Sequence, residues 1–220
     1  MSGPGAVPDC GAMASEGSGD SRPRPPRLVL ASASPARLQL LRQVGLNPDR
    51  VVSGVDEVAD GTAAEVAQGL ASRKALAVAG RTDGDALVLG GDSVLEHGGR
   101  VLGKPASAAD AVARWHDLRG TTGWLHSGHC LVSVAGGQVA QVLEEGAVTS
   151  VRFATPSDDD IAAYVASGEP LQVAGAFTLD GLGAGFIAGI DGCHSNVIGL
   201  SLPVLQRLLG RLGLSVCDWW

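Results

Sequence analysis

The chain has 220 residues, 45% of them hydrophobic, with a formal charge of −7 and a pI near 5.1. That length suits one or two domains with ample material for a core. The acidity argues against duplex nucleic acid as a partner, and no apolar run approaches the roughly 20 residues of a membrane-spanning helix.

Cys10, Cys130, Cys193 and Cys217 are scattered and form no CxxC pair, which argues against zinc and for reduced thiols in a cytoplasmic protein. Residues 1–26 are rich in Gly, Pro, Ser and Ala. They lack both a sustained apolar stretch and a basic start, so they predict a disordered N-terminal arm rather than a secretory signal. Met13 is a second candidate start, and the folded domain is expected over 27–220.

Leu28-Val29-Leu30 reads as a buried strand. Ser32-Ala33-Ser34-Pro35 then turns into a helix whose apolar positions are Leu38, Leu40, Leu41 and Val44, with Gly45 at its stop. Ser34 is the expected N-cap and Pro35 the first helical residue. Free backbone N–H groups at that helix start, the helix dipole, the hydroxyls of Ser32 and Ser34 and the charge of Arg37 suit a phosphate. The same pattern also describes an ordinary capped turn with a surface arginine.

A short strand is expected at 50–52, ending near Asp56-Glu57. A helix follows over 62–80, capped by Thr62, with Val66, Leu70 and Ala77 on its apolar face and Glu65 and Lys74 as polar points. A helical lysine is ordinarily solvated. Ala86-Leu87-Val88-Leu89 predicts an apolar strand that stops at Asp92, placing a carboxylate at a sheet edge of the kind where ligands bind. Asp92 equally suits a turn cap. Lys104, before Pro105, leads into a helix at about 107–117.

Residues 132–134 and 138–142 flank Ala135-Gly136-Gly137 as a hairpin, and a further strand is expected at 147–153. Helices follow at 157–167 and 201–212, and the Gly-rich stretch 168–190 between them predicts tight loops that bring backbone close to a ligand. The three aspartates 158–160 complement the helix dipole rather than ligate metal. GLGAG in that stretch lacks the strand–loop–helix context of a dinucleotide site. Trp219-Trp220 read as packing or surface groups. Together the elements predict an α/β fold: a mixed, curved central sheet flanked by helices, in two lobes with an active-site cleft.

The ordered motifs are SASPARLQLL at 32–41, VDE at 55–57, Lys74, GDSV at 91–94, GKP at 103–105, AGAFTLDGLGAGFI at 174–187 and NVIGLSL at 196–202. The set resembles the Maf family of nucleoside triphosphate pyrophosphatases. The resemblance implies hydrolysis of a nucleoside triphosphate to the monophosphate and pyrophosphate, with Mg2+ or Mn2+ as divalent cofactor. It implies Asp92 as general base, with Glu57, Lys74 and Lys104 completing the catalytic set and Glu57 and Asp92 as metal ligands. Ser32, Ser34 and Arg37 would hold phosphate, and Ala36, Ser93 and Asp180 would read the base.

The branch of the family acting on dTTP and UTP has Arg where Ala36 stands, Thr for Ser93 and Gln for Asp180. The branch preferring 7-methyl-GTP has an acidic residue at the last position but Trp at Ala36. An ionised Asp180 only accepts hydrogen bonds, which suits a guanine edge. His126 and His129 lie near the family's basic positions, which read here as Thr121, Thr122 and Gly123, and they are not expected to be catalytic. Family members often pair as dimers, so a homodimer is allowed. They are also linked to division arrest, so the rival reading is a nucleotide-binding regulator of septum formation that works through a protein partner with little turnover.

Overall fold

The computed structural model describes residues 25–220. Cys10, Met13 and nearly all of the expected N-terminal arm lie outside the described residues. Seven strands form one sheet: β1 Arg27–Leu30, β2 Asp49–Arg50, β3 Ala86–His97, β4 Arg100–Leu102, β5 Thr122–Ala135, β6 Gln138–Phe153 and β7 Ile187–Asp191. Their order is β2-β1-β3-β5-β6-β7, with β4 beside β3. β1 runs parallel to β2 and to β3, and all other pairings are antiparallel. The helices are α1 Pro35–Gln43, α2 Ala63–Ala79, α3 Ala108–Leu118, α4 Asp158–Ala166, α5 His194–Ile198 and α6 Leu202–Gly210.

Strand alternation sorts the core into layers. On β1, Leu28 and Leu30 pack with Leu40 and Leu41 of α1 and Leu205 and Leu208 of α6, while Val29 faces Ala71, Ala75 and Val78 of α2 on the other side. β3 repeats the scheme, with Leu87 and Leu89 in the first layer and Ala86 and Val88 in the second. The far ends of β3, β5 and β6 supply Leu95, Leu125 and Phe153 to a separate core. Trp115 of α3 centres that core, edge-on to Phe153, Tyr164 and Phe186, with its Nε1 donating to the Ala176 carbonyl at 2.8 Å. Three long strands therefore run through two packed regions, which is the two-lobed arrangement expected from the sequence.

Several local expectations change. The strand at 50–52 is only Asp49–Arg50. The expected strand at 147–153 is the continuation of β6, because the Gly136-Gly137 turn, with φ of +56° and +79°, joins strands of 14 and 16 residues. α6 ends at Gly210 rather than at 212. Trp220 is tied down: its Nε1 donates to the Val44 carbonyl at 2.8 Å, and Trp219 packs on the core of α1 and α6. Cys130, Cys193 and Cys217 are free thiols.

Candidate active site

β1 ends one residue before the Ser32–Pro35 turn, while β3 continues past it for seven residues beyond Gly90. The carboxyl edge that matters is therefore that of β1. Asp92 does not sit at the end of its own strand, as expected; it lies inside β3, on the stretch that outruns β1. The unpaired flank of β3 leaves room there for the turn, for Arg37 and for the loop that carries Glu57.

α2 builds the face above Asp92. Its N-terminus is a full capping box: Thr62 Oγ1 accepts from Glu65 N–H, and Glu65 Oε2 accepts from Thr62 N–H at 2.9 Å. Its buried stripe includes Val66, Leu70, Ala71, Ala75 and Val78, and Lys74 lies within that stripe. Lys74 is thus not a solvated helical lysine; it is 6% exposed. Two strand glycines allow the helix so close. A Cβ at Gly90 would stand 2.8 Å from Ala75 Cβ, and one at Gly128 would run into the backbone of Ala67 and Gln68. Gly128 pairs with Asp92 across the β3–β5 ladder.

Between these surfaces Lys74 Nζ donates to Asp92 Oδ1 at 2.6 Å and to Glu57 Oε1 at 2.5 Å. Asp92 is 9% exposed, whereas the Glu57 side chain is 55% exposed, so the triad runs from interior to rim. The Lys74 hydrogen bond, opposed by partial burial and aided by the charges of Lys74, Lys104 and Arg37, holds the Glu57 carboxyl below its ordinary pKa. Lys104 is itself exposed. Its loop is anchored from both sides, by Arg114 Nη1 donating to the Gly103 carbonyl at 2.6 Å and by Gly175 N–H donating to the same oxygen at 3.1 Å.

Arg37 lies on the opposite face of β3. Its Nε donates to the Gly199 carbonyl at 2.7 Å, Nη1 to Ser32 Oγ at 3.1 Å and Nη2 to Ser93 Oγ at 3.2 Å. Burial pushes its pKa down, and the charges of Asp92 and Glu57 work the other way. Ser34 is the N-cap of α1, its Oγ accepting from Arg37 N–H, and Ser34 N–H in turn donates to Ser32 Oγ. Ser32, Ser34, Arg37, Ser93, Asp92, Lys74 and Glu57 thus come together, with Lys104 within electrostatic reach and Ala36 in the first turn of α1.

Asp180 is exposed on the Gly-rich segment. That segment is shaped by a residue the sequence reading overlooked. Glu169 accepts from Thr178 Oγ1 at 2.5 Å, Leu182 N–H at 3.0 Å and Gly183 N–H at 3.1 Å, closing the turn that carries Asp180. His129 is structural. It is fully buried, with its ring between the Glu145 carbonyl and Ser201 N–H, the latter donating to Nε2, and burial lowers its pKa to about 4. A mainly apolar cavity of about 740 Å³, bordered by Cys193, Leu202, Pro203, Val216 and Cys217, shares no residue with the Lys74 cluster.

Among the described residues no group of three or more His, Cys, Asp or Glu is arranged to hold a metal ion. The donor set nevertheless suits a hard cation. Glu57 and Asp92 each give one oxygen to the Lys74 ammonium and keep the second for a cation, and Mg2+ ordinarily takes one or two carboxylates and completes its shell with water and substrate phosphates.

A family model described as Maf-like protein matches residues 27–212, the whole span that carries this arrangement. The chain belongs to the Maf family. A Streptomyces coelicolor protein described as nucleoside triphosphate pyrophosphatase is 58% identical over 197 residues, covering 88% of this chain and 94% of the relative. Proteins of the same description from Salinispora tropica and from Synechocystis sp. are 54% and 51% identical, covering 88% and 100% of their own lengths and 89% of this Maf chain. No helix among the described residues is long and apolar enough to cross a membrane.

Proposed function

We propose that this Maf-family chain hydrolyses a nucleoside triphosphate to the nucleoside monophosphate and pyrophosphate. The observation that carries the reading is the buried Asp92 carboxylate, paired to Lys74 on one face of β3 while Arg37 lies on the other. Its Oδ1 carries the lysine hydrogen bond, and Oδ2 takes the proton of a water that attacks the α-phosphorus. The new P–O bond forms as the bond to the bridging oxygen breaks and pyrophosphate departs.

Lys74 pairs with Asp92 and fixes its orientation. Arg37, Lys104, the two serine hydroxyls and the α1 N-terminus hold and neutralise the phosphates. Glu57 and Asp92 would hold Mg2+ or Mn2+, which supplies charge neutralisation at the phosphate oxygens. Asp180, an acceptor when ionised, reads a guanine-type edge. The natural setting is the cytoplasm, with removal of unwanted nucleotides as the role.

The test is pyrophosphate release from the common nucleoside triphosphates, 7-methyl-GTP and 5-methyl-UTP, with Mg2+, Mn2+ or chelator, beside Asp92→Asn. Cation-dependent release that collapses in the variant supports the enzyme. Binding without turnover would overturn it and favour the regulator of septum formation.

A further inference from the structure

We propose that Ser127 is a positioning residue for Arg37, acting through the hydroxyl of Ser93. The inference rests on the reading of Arg37 as a phosphate ligand. Neither the motifs nor the family resemblance points to Ser127, which lies on β5 directly across the ladder from Ser93.

Arg37 is a buried cation whose three hydrogen bonds all go to neutral oxygens: a main-chain carbonyl and two serine hydroxyls. A guanidinium spent on a carboxylate would have little charge left for a phosphate; one held by neutral acceptors keeps it. The cost is that its aim depends on weak partners. Gly199 offers a fixed carbonyl, and Ser32 is fixed in turn by Ser34 N–H. Ser93 has no such main-chain support. Its hydroxyl is a free rotor with one proton and two lone pairs.

Ser127 Oγ stops that rotor. It lies 2.8 Å from Ser93 Oγ and is 2% exposed. Either hydroxyl can donate in this pair, and in both arrangements Ser93 Oγ keeps a lone pair for Arg37 Nη2. The pairing fixes where the Ser93 oxygen sits and so fixes the acceptor that Arg37 Nη2 meets. Ser127 is too deeply buried to meet a nucleotide, so its influence passes through Ser93 alone.

The experiment is a double-mutant cycle on Ser93→Ala and Ser127→Ala. It reads KM, kcat and the Kd of a non-hydrolysable α,β-methylene triphosphate, with thermal unfolding as the folding control. One net hydrogen bond corresponds to a KM and Kd rise of about 3- to 10-fold in Ser127→Ala, with kcat changing less than KM. Ser127→Thr, which keeps the hydroxyl, is expected to restore both constants. The double variant should bind no more weakly than Ser93→Ala alone.

Unchanged KM and Kd in Ser127→Ala, or additive effects in the double variant, overturn the proposal. If Ser127→Ala fails to fold, Ser127→Cys, a weaker hydrogen-bonding group of similar shape, takes its place in the cycle with the same criteria. Because Kd needs no turnover, a chain that binds but does not hydrolyse triphosphate would sink the proposed function while leaving the Ser127 test intact.

Discussion

Lys74 Nζ and Asp92 Oδ1 are 2.6 Å apart, with side chains 8% and 12% exposed. This is an interior ion pair between a helix and a strand, not a surface pair worth a few tenths of a kcal/mol. Replacing Lys74 by Met strips the buried carboxylate of its hydrogen-bonded cation. The expected loss is about 3–5 kcal/mol in urea unfolding near neutral pH. Asp92→Asn keeps a neutral acceptor, so it should lose less stability but about 10²–10⁴-fold in pyrophosphate release. Comparable stability losses in the two variants would contradict this account.

The distance between α2 and the sheet is set by Gly128 and Gly90. A methyl group at 128 meets main-chain atoms of Ala67 and Gln68, which cannot rotate away. Gly128→Ala should therefore lift α2, at a cost of about 1–3 kcal/mol. Turnover should fall more steeply than that stability loss accounts for, because Lys74 is lifted off Asp92. Thermal unfolding and kcat measured on the same preparation check both halves.

His129 makes stability depend on pH in a definite window. Its pKa is about 4 in the folded chain against 6.5 when unperturbed, so between these values the unfolded chain binds the extra proton. Stability from this residue is complete above about pH 6.5, declines as pH falls to about 4 and then levels off, a change of roughly 3 kcal/mol. The depressed carboxylate Glu57 acts lower: its contribution is lost only as pH falls through its own folded pKa, below the ordinary carboxylate range. Urea unfolding at pH 7 and pH 4.5 should show the loss, and His129→Gln should flatten the slope over that interval even if its absolute stability is lower.

Asp180 should govern which base is accepted. Asp180→Gln gains a donor and is expected to shift the ranking from guanine nucleotides towards thymine and uracil nucleotides. Glu169→Ala releases Thr178, Leu182 and Gly183 and should blunt discrimination between bases without creating a new preference. Ratios of kcat/KM for GTP, 7-methyl-GTP, UTP and dTTP decide. An identical ranking in all three proteins would remove Asp180 from base recognition.

The sequence revealed most where local chemistry decides structure. Ser34-Pro35 and Thr62 with Glu65 read directly as helix starts, and apolar runs located β1 and the first half of β3. It misled where long-range packing overrides local pattern. Lys74 looked solvated because a lysine on a helix ordinarily is, and only the glycines of two distant strands show that α2 can bury it. Asp92 looked like a strand end because the apolar run Ala86–Leu89 gives way to it; the register with β5 shows the strand running on. Ser127 and Glu169 carried no signal at all, since their partners lie 34 and 9–14 residues away and no spacing rule links them.

Lys74 and Lys104 are the only lysines in the chain. Amine-directed chemistry on this protein is therefore, apart from the α-amino group, chemistry at the candidate site. An acylating label should take the exposed Lys104 quickly and leave the buried Lys74 untouched until the fold opens. Protection of Lys104 by a bound triphosphate would then report occupancy at one atom, without a labelled nucleotide. The same economy is a hazard: coupling the protein to a surface through its amines engages Lys104 beside the candidate site, whereas the exposed Cys217 offers a tether bonded to none of these groups.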